Sequence, residues 1–410
     1  MQPSNAATSD DKTLGLAQRN VWLLSLSHAV KLSQSTVIFA ITGLVGERIA
    51  PDPTLATLPV ALQFLSTMLV TIPAAGLMSR FGAKSSFMAA ALVGVVGAAI
   101  STWAVENGSF VPLCVGITLI GVFNGVSNYY RFVAADQSPA AFKSRAISYV
   151  LGGGVLAAFV GPNLARVSRG WVQGPEFVGS FFAVFLVSLV SLPALAMLKL
   201  PAIRFEDKQG GGRSLLTIGK QPKFIVAVLC GVLGYCAMNF LMIATPLAMK
   251  QHHHTFSDTA SVIQWHVFAM FAPSFFTGSL IKRFGAPAVM FVGGILDVIC
   301  VGLNLTGTTL LHYSAALFLL GIGWNFLFVG ATSLLTETYE PKERGKTQAA
   351  NDFIVSSSVA LSAFNAGAIH HRYGWELANF FVLPGLGVVF LSLAWLQLKT
   401  RSAAVPAALG

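Results

Sequence analysis

The chain has 410 residues, of which 54% are hydrophobic and only 10% are charged, and its formal net charge is +10. Soluble proteins carry roughly 25% charged residues, so this chain has too little polar surface to cover a water-soluble globule. The positive charge does not indicate nucleic-acid binding, because the basic residues are spread over short loops.

Apolar runs long enough to cross a bilayer, about 20 residues each, recur along the whole chain. They predict an all-α integral membrane protein with about twelve transmembrane helices. A barrel is excluded because its strands would be shorter and would alternate in polarity. The predicted spans are 21–45, 54–78, 85–104, 110–134, 146–166, 177–198, 223–248, 258–280, 287–306, 310–336, 347–369 and 376–398.

The spans predict two six-helix bundles, at 21–198 and 223–398. A polar N-terminal tail at 1–20 shows no cleavable signal. Residues 199–222 form a basic, glycine-containing linker, and 399–410 form the C-terminal tail.

The lysines and arginines predict which ends of the helices face the cytoplasm. If the N-terminus is cytoplasmic, nineteen basic residues fall on inner segments and five on outer ones. The other two, Lys31 and Arg131, lie within spans, which accounts for all 26. This asymmetry favours both termini, and the linker, on the cytoplasmic side.

One short loop occurs twice. Arg80-Phe81-Gly82-Ala83 separates the second and third spans, and Arg283-Phe284-Gly285-Ala286 separates the eighth and ninth. A second pair of similar stretches, 120–124 and 321–325, ends in Asn124 and Asn325. Two related sets of six spans predict two pseudo-symmetric bundles with a site at their interface.

These motifs resemble those of the major facilitator superfamily, over essentially the whole chain. That family's loop G-x-L-x-D-R-x-G-R-K is matched twice, with Ser79 and Lys282 where the acid belongs. The resemblance implies gating loops containing Arg80, Gly82, Arg283 and Gly285. The matched positions are Ala75, Leu77, Arg80, Gly82 and Lys84 in the first copy, and Gly278, Leu280, Arg283 and Gly285 in the second.

Gly161-Pro162 in the fifth span resembles the centre of a motif associated with drug/proton antiporters. Ala157 and Ala165 stand where glycines would be expected, and the antiporters' arginine in the fourth span is absent. The resemblance therefore indicates the superfamily better than the direction of transport, with efflux slightly favoured over import.

Ionisable side chains within a membrane are costly, by about 2.5–3.5 kcal/mol at its centre, and are the first candidates for function. In the first span, His28, Lys31, Gln34 and Ser35 share one helical face. Lys31 lies roughly 15 Å deep. It could line a cavity, titrate during coupling, or pair structurally with a carboxylate or a helix C-terminus.

The fourth span carries Asn124, Asn128 and Arg131 on one face, beside Tyr130. Arg131 could bind a carboxylate or phosphate, or pair with an acidic residue. Tyr130 could stack on a substrate or serve as an ordinary interface aromatic.

The second half is more aromatic and less charged, and its seventh span offers Tyr235 together with Asn239. Because spans one, four, seven and ten border the cavity in this superfamily, the resemblance implies that Asn239, Trp324 and Asn325 face it, with Phe328 nearby. Packing and helix–helix hydrogen bonding are the alternative roles. A cationic first half and an aromatic second half would suit a flat organic anion.

Three residues are candidate proton carriers: Lys31, His266 and Asp352. For Asp297, in the middle of the ninth span, a structural role is favoured over coupling. The triplet His252-His253-His254 is interpreted as a solvated loop.

No cofactor or metal site is predicted. The four cysteines lie in apolar runs without a CxxC pair, and the phosphate-binding pattern G-x-x-x-x-G-K-[ST] is absent. An enzyme is disfavoured because no catalytic pair is present.

The sequence thus predicts a monomeric secondary transporter of the bacterial inner membrane. It would move a small organic solute by alternating access, with proton coupling favoured. An uncoupled or import-direction facilitator and a non-transporting receptor of the same fold remain the alternatives.

Overall fold

The computed structural model describes residues 5–139, 142–200, 212–340 and 343–404. Within these ranges the chain is almost entirely helical and forms no strand. The helices are α1 Asn5–Ile49, α2 Leu58–Phe81, α3 Ala83–Glu106, α4 Phe110–Ser127, α5 Tyr130–Asp136, α6 Lys143–Ser168, α7 Val178–Ala196, α8 Leu215–Gly219, α9 Pro222–Gln251, α10 Phe256–Phe271, α11 Ser274–Phe284, α12 Ala286–Thr306, α13 Leu310–Thr336, α14 Arg344–Phe380 and α15 Leu383–Ala404. Helices satisfy every backbone hydrogen bond internally, which a bilayer requires.

The helices confirm the predicted all-α architecture and its spans. In the described residues, nine stretches are long and apolar enough to cross a membrane by length and composition. One of them, Arg344–Thr400, contains the two last predicted spans. The remaining two predicted spans correspond to α6 and to the broken pair α10–α11. Residues 201–211 of the predicted linker lie outside the described residues, and α8 follows them.

The chain divides into two compact units. The first unit comprises Met1–Ile41 and Leu65–Asp207, and the second comprises Thr42–Phe64 and Lys208–Gly410. In the first unit, α3 packs on α4 and α7, and α6 packs on α5 and α7. In the second, α13 packs on α9, α10 and α12, while α14 and α15 pack on α9.

Small residues allow the helices of each unit to approach closely. In the first unit, a Cβ atom on Gly97 would lie 2.5 Å from the carbonyl oxygen of Gly116. In the second unit, a Cβ atom on Gly293 of α12 would lie 2.8 Å from the carbonyl oxygen of Gly323 on α13. These contacts leave no room for a larger side chain.

The repeated loop has one backbone conformation in both units. Gly82 has φ 82° and ψ 154°, and Gly285 has φ 84° and ψ 151°. Positive φ of this kind favours glycine, which explains why both copies place it there. The guanidinium of Arg80 lies 5.3 Å from the ring centroid of Phe81, and that of Arg283 lies 5.1 Å from Phe284.

The beginning of α14 is joined to the residues before α8 by an ion pair within the second unit. The side chain of Glu343 is fully buried and accepts hydrogen bonds from Arg213 Nε at 3.1 Å and Nη2 at 2.7 Å. The backbone N–H groups of Arg213 and Glu340 also donate to this carboxylate. The Arg213 hydrogen bond, followed by the Glu340 backbone bond, lowers the pKa of Glu343 from 4.5 to about 2.

We expect Gly323→Ala to lower the free energy of unfolding by about 1–3 kcal/mol, the usual cost of overpacking. The new methyl group would overlap the Asp297 carboxyl group and lie 2.9 Å from the Gly293 carbonyl oxygen. Thermal unfolding in detergent measures the effect. Gly302→Ala is the matched control, because no described atom outside its own stretch of helix lies within 4 Å of the added Cβ. Equal unfolding temperatures for the two variants would contradict this packing.

We expect the Arg213–Glu343 pair to stabilise the second unit fully above pH 4.5 and to lose that contribution as pH falls towards 2. The sign follows because the carboxyl pKa is lower in the folded chain than its ordinary value of 4.5. Glu343→Gln should therefore reduce the acid dependence of the unfolding temperature in this range. Glu106→Gln, at an exposed carboxylate, serves as control, and an unchanged acid profile in Glu343→Gln would refute the assignment.

Candidate functional site

In the first unit, polar side chains of α1 and α4 meet away from solvent. Lys31 is 8% exposed, and its Nζ atom donates to Oδ1 of Asn128 at 2.7 Å. Asn124 donates through Nδ2 to the Ser35 hydroxyl at 3.2 Å. The hydrogen-bond partner of Lys31 among the described residues is an amide oxygen and not a carboxylate, so in its charged form this side chain can attract a polar or anionic ligand.

Several polar atoms beside Lys31 have no hydrogen-bond partner among the described residues. Gln34 is fully buried, and both Oε1 and Nε2 lack a partner. Oδ1 of Asn124 and Nδ1 of His28 are also without one. Buried groups of this kind are rare in folded proteins unless water or a ligand satisfies them. This group of residues, His28, Lys31, Gln34, Asn124 and Asn128, is called the polar cluster below.

Arg131 and Tyr130 follow the polar cluster along the chain. The guanidinium of Arg131 lies 4.8 Å from the ring centroid of Phe132. Tyr130 is fully buried in the apolar core, where its ring packs edge-on against Phe87 at 4.7 Å. The structure thus places Tyr130 in packing, and Arg131 beside an aromatic ring.

In the second unit, three aromatic rings surround Trp324. The Trp324 ring stacks on Phe328 at 5.1 Å with an interplanar angle of 9°. Tyr235 packs edge-on against both rings at 5.4 and 5.6 Å, and Phe271 lies 6.3 Å from Trp324. Nε1 of Trp324 has no partner among the described residues. The residues Tyr235, Phe271, Trp324 and Phe328 are called the aromatic cluster below.

Sequence reasoning placed Trp324 and Phe328 in the site and offered Tyr235 of the seventh span, but it did not include Phe271. Tyr235 lies one helical turn before Asn239 on α9, so its i, i+4 spacing to a predicted site residue was a usable signal. Phe271 ends α10 and reaches Trp324 through the fold of the unit. No local pattern predicts that contact.

The two predicted asparagines of the second unit are held by hydrogen bonds. Nδ2 of Asn239 donates to the carbonyl oxygen of Val359 at 3.4 Å. Asn325 donates to the Met270 carbonyl and to the Ser274 hydroxyl, both at 2.7 Å, and accepts from Thr277 at 2.7 Å. The bonds of Asn325 span the break between α10 and α11 at Pro273, which supplies no N–H donor.

Comparison with known proteins decides the family. The model of the Major Facilitator Superfamily matches residues 227–409. The riboflavin transporter RfnT of Brucella anthropi is 41% identical over 393 residues, covering 95% of this chain and 98% of that protein. The chain belongs to the major facilitator superfamily. It is therefore a multi-pass membrane transporter and not an enzyme.

More distant proteins agree with this assignment. The uncharacterized MFS-type transporter YdeG of Bacillus subtilis is 23% identical, with 88% of each chain covered. The nucleoside transporter NupG, solved as a point mutant, superposes with a TM-score of 0.72, covering 92% of this chain and 99% of that one at 11% identity. A bacterial homologue of the lysosomal transporter Spinster, in an inward-facing occupied state, gives 0.68, covering 91% and 96% at 15% identity. The solved structures share the fold.

The candidate proton carriers His266 and Asp352, and the buried carboxyl group of Asp297, lie in different surroundings. His266 is fully buried; its Nδ1 lies 2.7 Å from the Leu317 carbonyl oxygen, and its Nε2 has no partner in the described part of the chain. A carbonyl oxygen only accepts, so Nδ1 carries the proton. Asp352 is exposed at the beginning of α14 and accepts from Asn351 at 3.1 Å. Asp297 is fully buried, and neither carboxyl oxygen has a partner among the described residues.

We expect Asn325→Leu to lower the free energy of unfolding by about 1–3 kcal/mol, because the Met270 carbonyl and the Thr277 hydroxyl would lose a buried partner. Thermal unfolding in detergent is the measurement. Asn365→Leu is the control, since the side chain of Asn365 donates within its own helix, to the Leu361 carbonyl. If both variants melt at the same temperature, the bonds across the α10–α11 break do not stabilise the fold.

Proposed function

We propose that this protein transports riboflavin across the membrane. The observation that carries the proposal is the relative named as a riboflavin transporter, which matches 95% of this chain at 41% identity. The chemistry of the two clusters supports it. Riboflavin has a planar, largely apolar ring system, a dione edge that exchanges hydrogen bonds, and a polyhydroxylated side chain.

The aromatic cluster suits the ring system of this substrate. Flat heteroaromatic rings stack favourably on Trp, Tyr and Phe, and Trp324 and Phe328 already form such a stack with each other, which a flavin ring would extend. The Nε1–H group of Trp324, which lacks a partner among the described residues, could donate to a ring carbonyl or nitrogen. The side-chain amide of Asn325 makes its hydrogen bonds within the second unit. We therefore assign this residue to stabilising the break between α10 and α11.

The polar cluster suits hydroxyl and carbonyl groups. Gln34 offers both a donor and an acceptor, Asn124 offers an acceptor, and Lys31 offers ammonium hydrogens. The sequence analysis expected a flat organic anion. Riboflavin is flat but uncharged at neutral pH, so its polar oxygens take the place of the expected negative charge. Lys31 and Arg131 would polarise those oxygens.

We further propose proton coupling and alternating access. Lys31 and His266 are buried ionisable side chains, and groups of this kind inside a membrane often mark proton routes; Asp297 keeps the structural role favoured from the sequence. Asp352 is exposed and is the weaker candidate. The uneven distribution of lysine and arginine supports a bacterial inner-membrane location with both termini cytoplasmic, and we propose a monomer.

The test is riboflavin flux into proteoliposomes, combined with equilibrium binding measured by flavin fluorescence. We expect saturable flux, and a loss of affinity of about tenfold in Trp324→Ala and in Gln34→Leu, since one stacked ring or one buried amide is removed. Trp324→Phe should keep most of the affinity. Trp103→Ala, at an exposed tryptophan of α3, is the control.

Imposing a pH gradient on the same vesicles, in either direction, separates coupled from uncoupled flux and efflux from import. Flux that does not change with the pH gradient would contradict proton coupling and favour an uncoupled facilitator. Absence of both riboflavin binding and flux in an otherwise folded preparation would overturn the proposed substrate.

A further inference from the structure

In the first unit, the C-terminal end of α7 is held by basic side chains from two other helices. Arg19 of α1 donates through Nη2 to the Met197 carbonyl oxygen. Lys84, at the beginning of α3, donates through Nζ to the Ala196 carbonyl oxygen at 2.6 Å. Because the Cα atoms of adjacent residues are about 3.8 Å apart, the two cationic groups meet at the same helix end.

The chain that follows α7 is bound to α1 as well. Nδ2 of Asn20 donates to the Lys199 carbonyl oxygen at 2.9 Å, and the Lys199 N–H donates to Oδ1 of Asn20 at 3.2 Å. These two hydrogen bonds fix the backbone beside Arg19. The basic side chains are therefore already ordered, and a pre-formed site of this kind binds a ligand with little ordering cost.

The two cations retain both charge and hydrogen-bond donors. Each gives one donor to a carbonyl oxygen, whereas a guanidinium has five and an ammonium has three. The negative end of a helix dipole, about half an elementary charge, offsets only part of two positive charges. Neither cation has a carboxylate partner among the described residues. By contrast, Lys223 of the second unit lies 2.6 Å from the Glu337 carboxylate.

An exposed aromatic pair lies one helical turn from Arg19. Trp22 of α1 and Tyr149 of α6 stack with their ring centroids 5.4 Å apart and an interplanar angle of 15°, and they are 63% and 42% exposed. Such residues are enriched at the level of lipid headgroups. Leu26, one turn further along the same face of α1, is exposed and apolar. The surface thus changes from cationic through aromatic to apolar, which is the order of polarity along a phospholipid.

We infer that this surface, formed by Arg19, Trp22, Lys84 and Tyr149, binds an anionic phospholipid. The phosphate accepts hydrogen bonds from Arg19 and Lys84, the aromatic pair lies beside the glycerol ester groups, and an acyl chain follows Leu26. Charge complementarity selects an anionic headgroup over a zwitterionic one, because the two basic groups attract net negative charge. The surface lies wholly within the first unit, and the inference does not depend on the transported substrate.

The first test measures lipid binding to the purified full-length protein in detergent by native mass spectrometry. The probes are dioleoyl phosphatidylglycerol and dioleoyl phosphatidylcholine, and we expect the first to bind more tightly. Arg19→Gln and Lys84→Gln should each weaken phosphatidylglycerol binding by about fivefold, the usual effect of one basic residue. Glutamine can still donate to the helix carbonyl. Lys223→Gln, which removes a cation paired with Glu337, is the control and should bind as the wild type does.

The second test locates the lipid through tryptophan fluorescence in nanodiscs, since bromine atoms on the acyl chains quench nearby indole rings. At equal mole fraction, brominated phosphatidylglycerol should quench more fluorescence than brominated phosphatidylcholine. That excess should disappear in Trp22→Phe. Trp103→Phe, at an exposed tryptophan near the other end of α3, should keep it.

Three results would overturn the inference. Equal affinity for the two lipids, or wild-type affinity for phosphatidylglycerol in both glutamine variants, would leave Arg19 and Lys84 as helix caps only. An excess of quenching that persists in Trp22→Phe would place the lipid elsewhere. Displacement of phosphatidylglycerol by millimolar glycerol phosphate would show that a soluble phosphate compound occupies the surface instead.

Discussion

The cost of burying polar atoms in an apolar medium is the constraint on which this structure depends. It explains the almost wholly helical backbone of the described residues, since a helix leaves few backbone groups unpaired inside lipid. It also explains the side-chain pairs, such as Lys31 with Asn128 and Asn304 with Asn379. A polar side-chain atom within a membrane span needs a hydrogen-bond partner, either from the protein or from a ligand or water.

That distinction separates residues that maintain the fold from residues available to a ligand. Asn325 uses its amide to secure the helix break around Pro273. Gln34 is equally buried, yet neither of its amide atoms has a partner among the described residues. Both side chains are amides within membrane spans, and only their surroundings show that one is held by hydrogen bonds while the other is left unmet among the described residues.

The internal repeat is preserved in the backbone and has diverged in the side chains. Gly82 and Gly285 have nearly identical dihedral angles, and each follows an Arg-Phe pair with the same cation–π contact. Asn124 and Asn325 occupy corresponding positions, but Asn124 keeps an acceptor that is unmet among the described residues, while Asn325 is bonded at both ends of its amide. The first unit carries a buried lysine near its asparagine, and the second carries stacked rings near its own.

The sequence by itself determined the fold class, the spans and the family. Runs of apolar residues and a repeated glycine loop indicate these features directly. The thickness of the bilayer determines how long each apolar run must be, and a positive φ angle favours glycine at one position of the loop. It also placed Lys31, Gln34 and Trp324 among the residues of interest. Only the tertiary structure showed that Phe271 joins Trp324, that Tyr130 lies in the core, and that Arg19 and Lys84 bond to the same helix end. These facts depend on contacts between helices distant in sequence, and no local pattern encodes which polar atoms will find a partner.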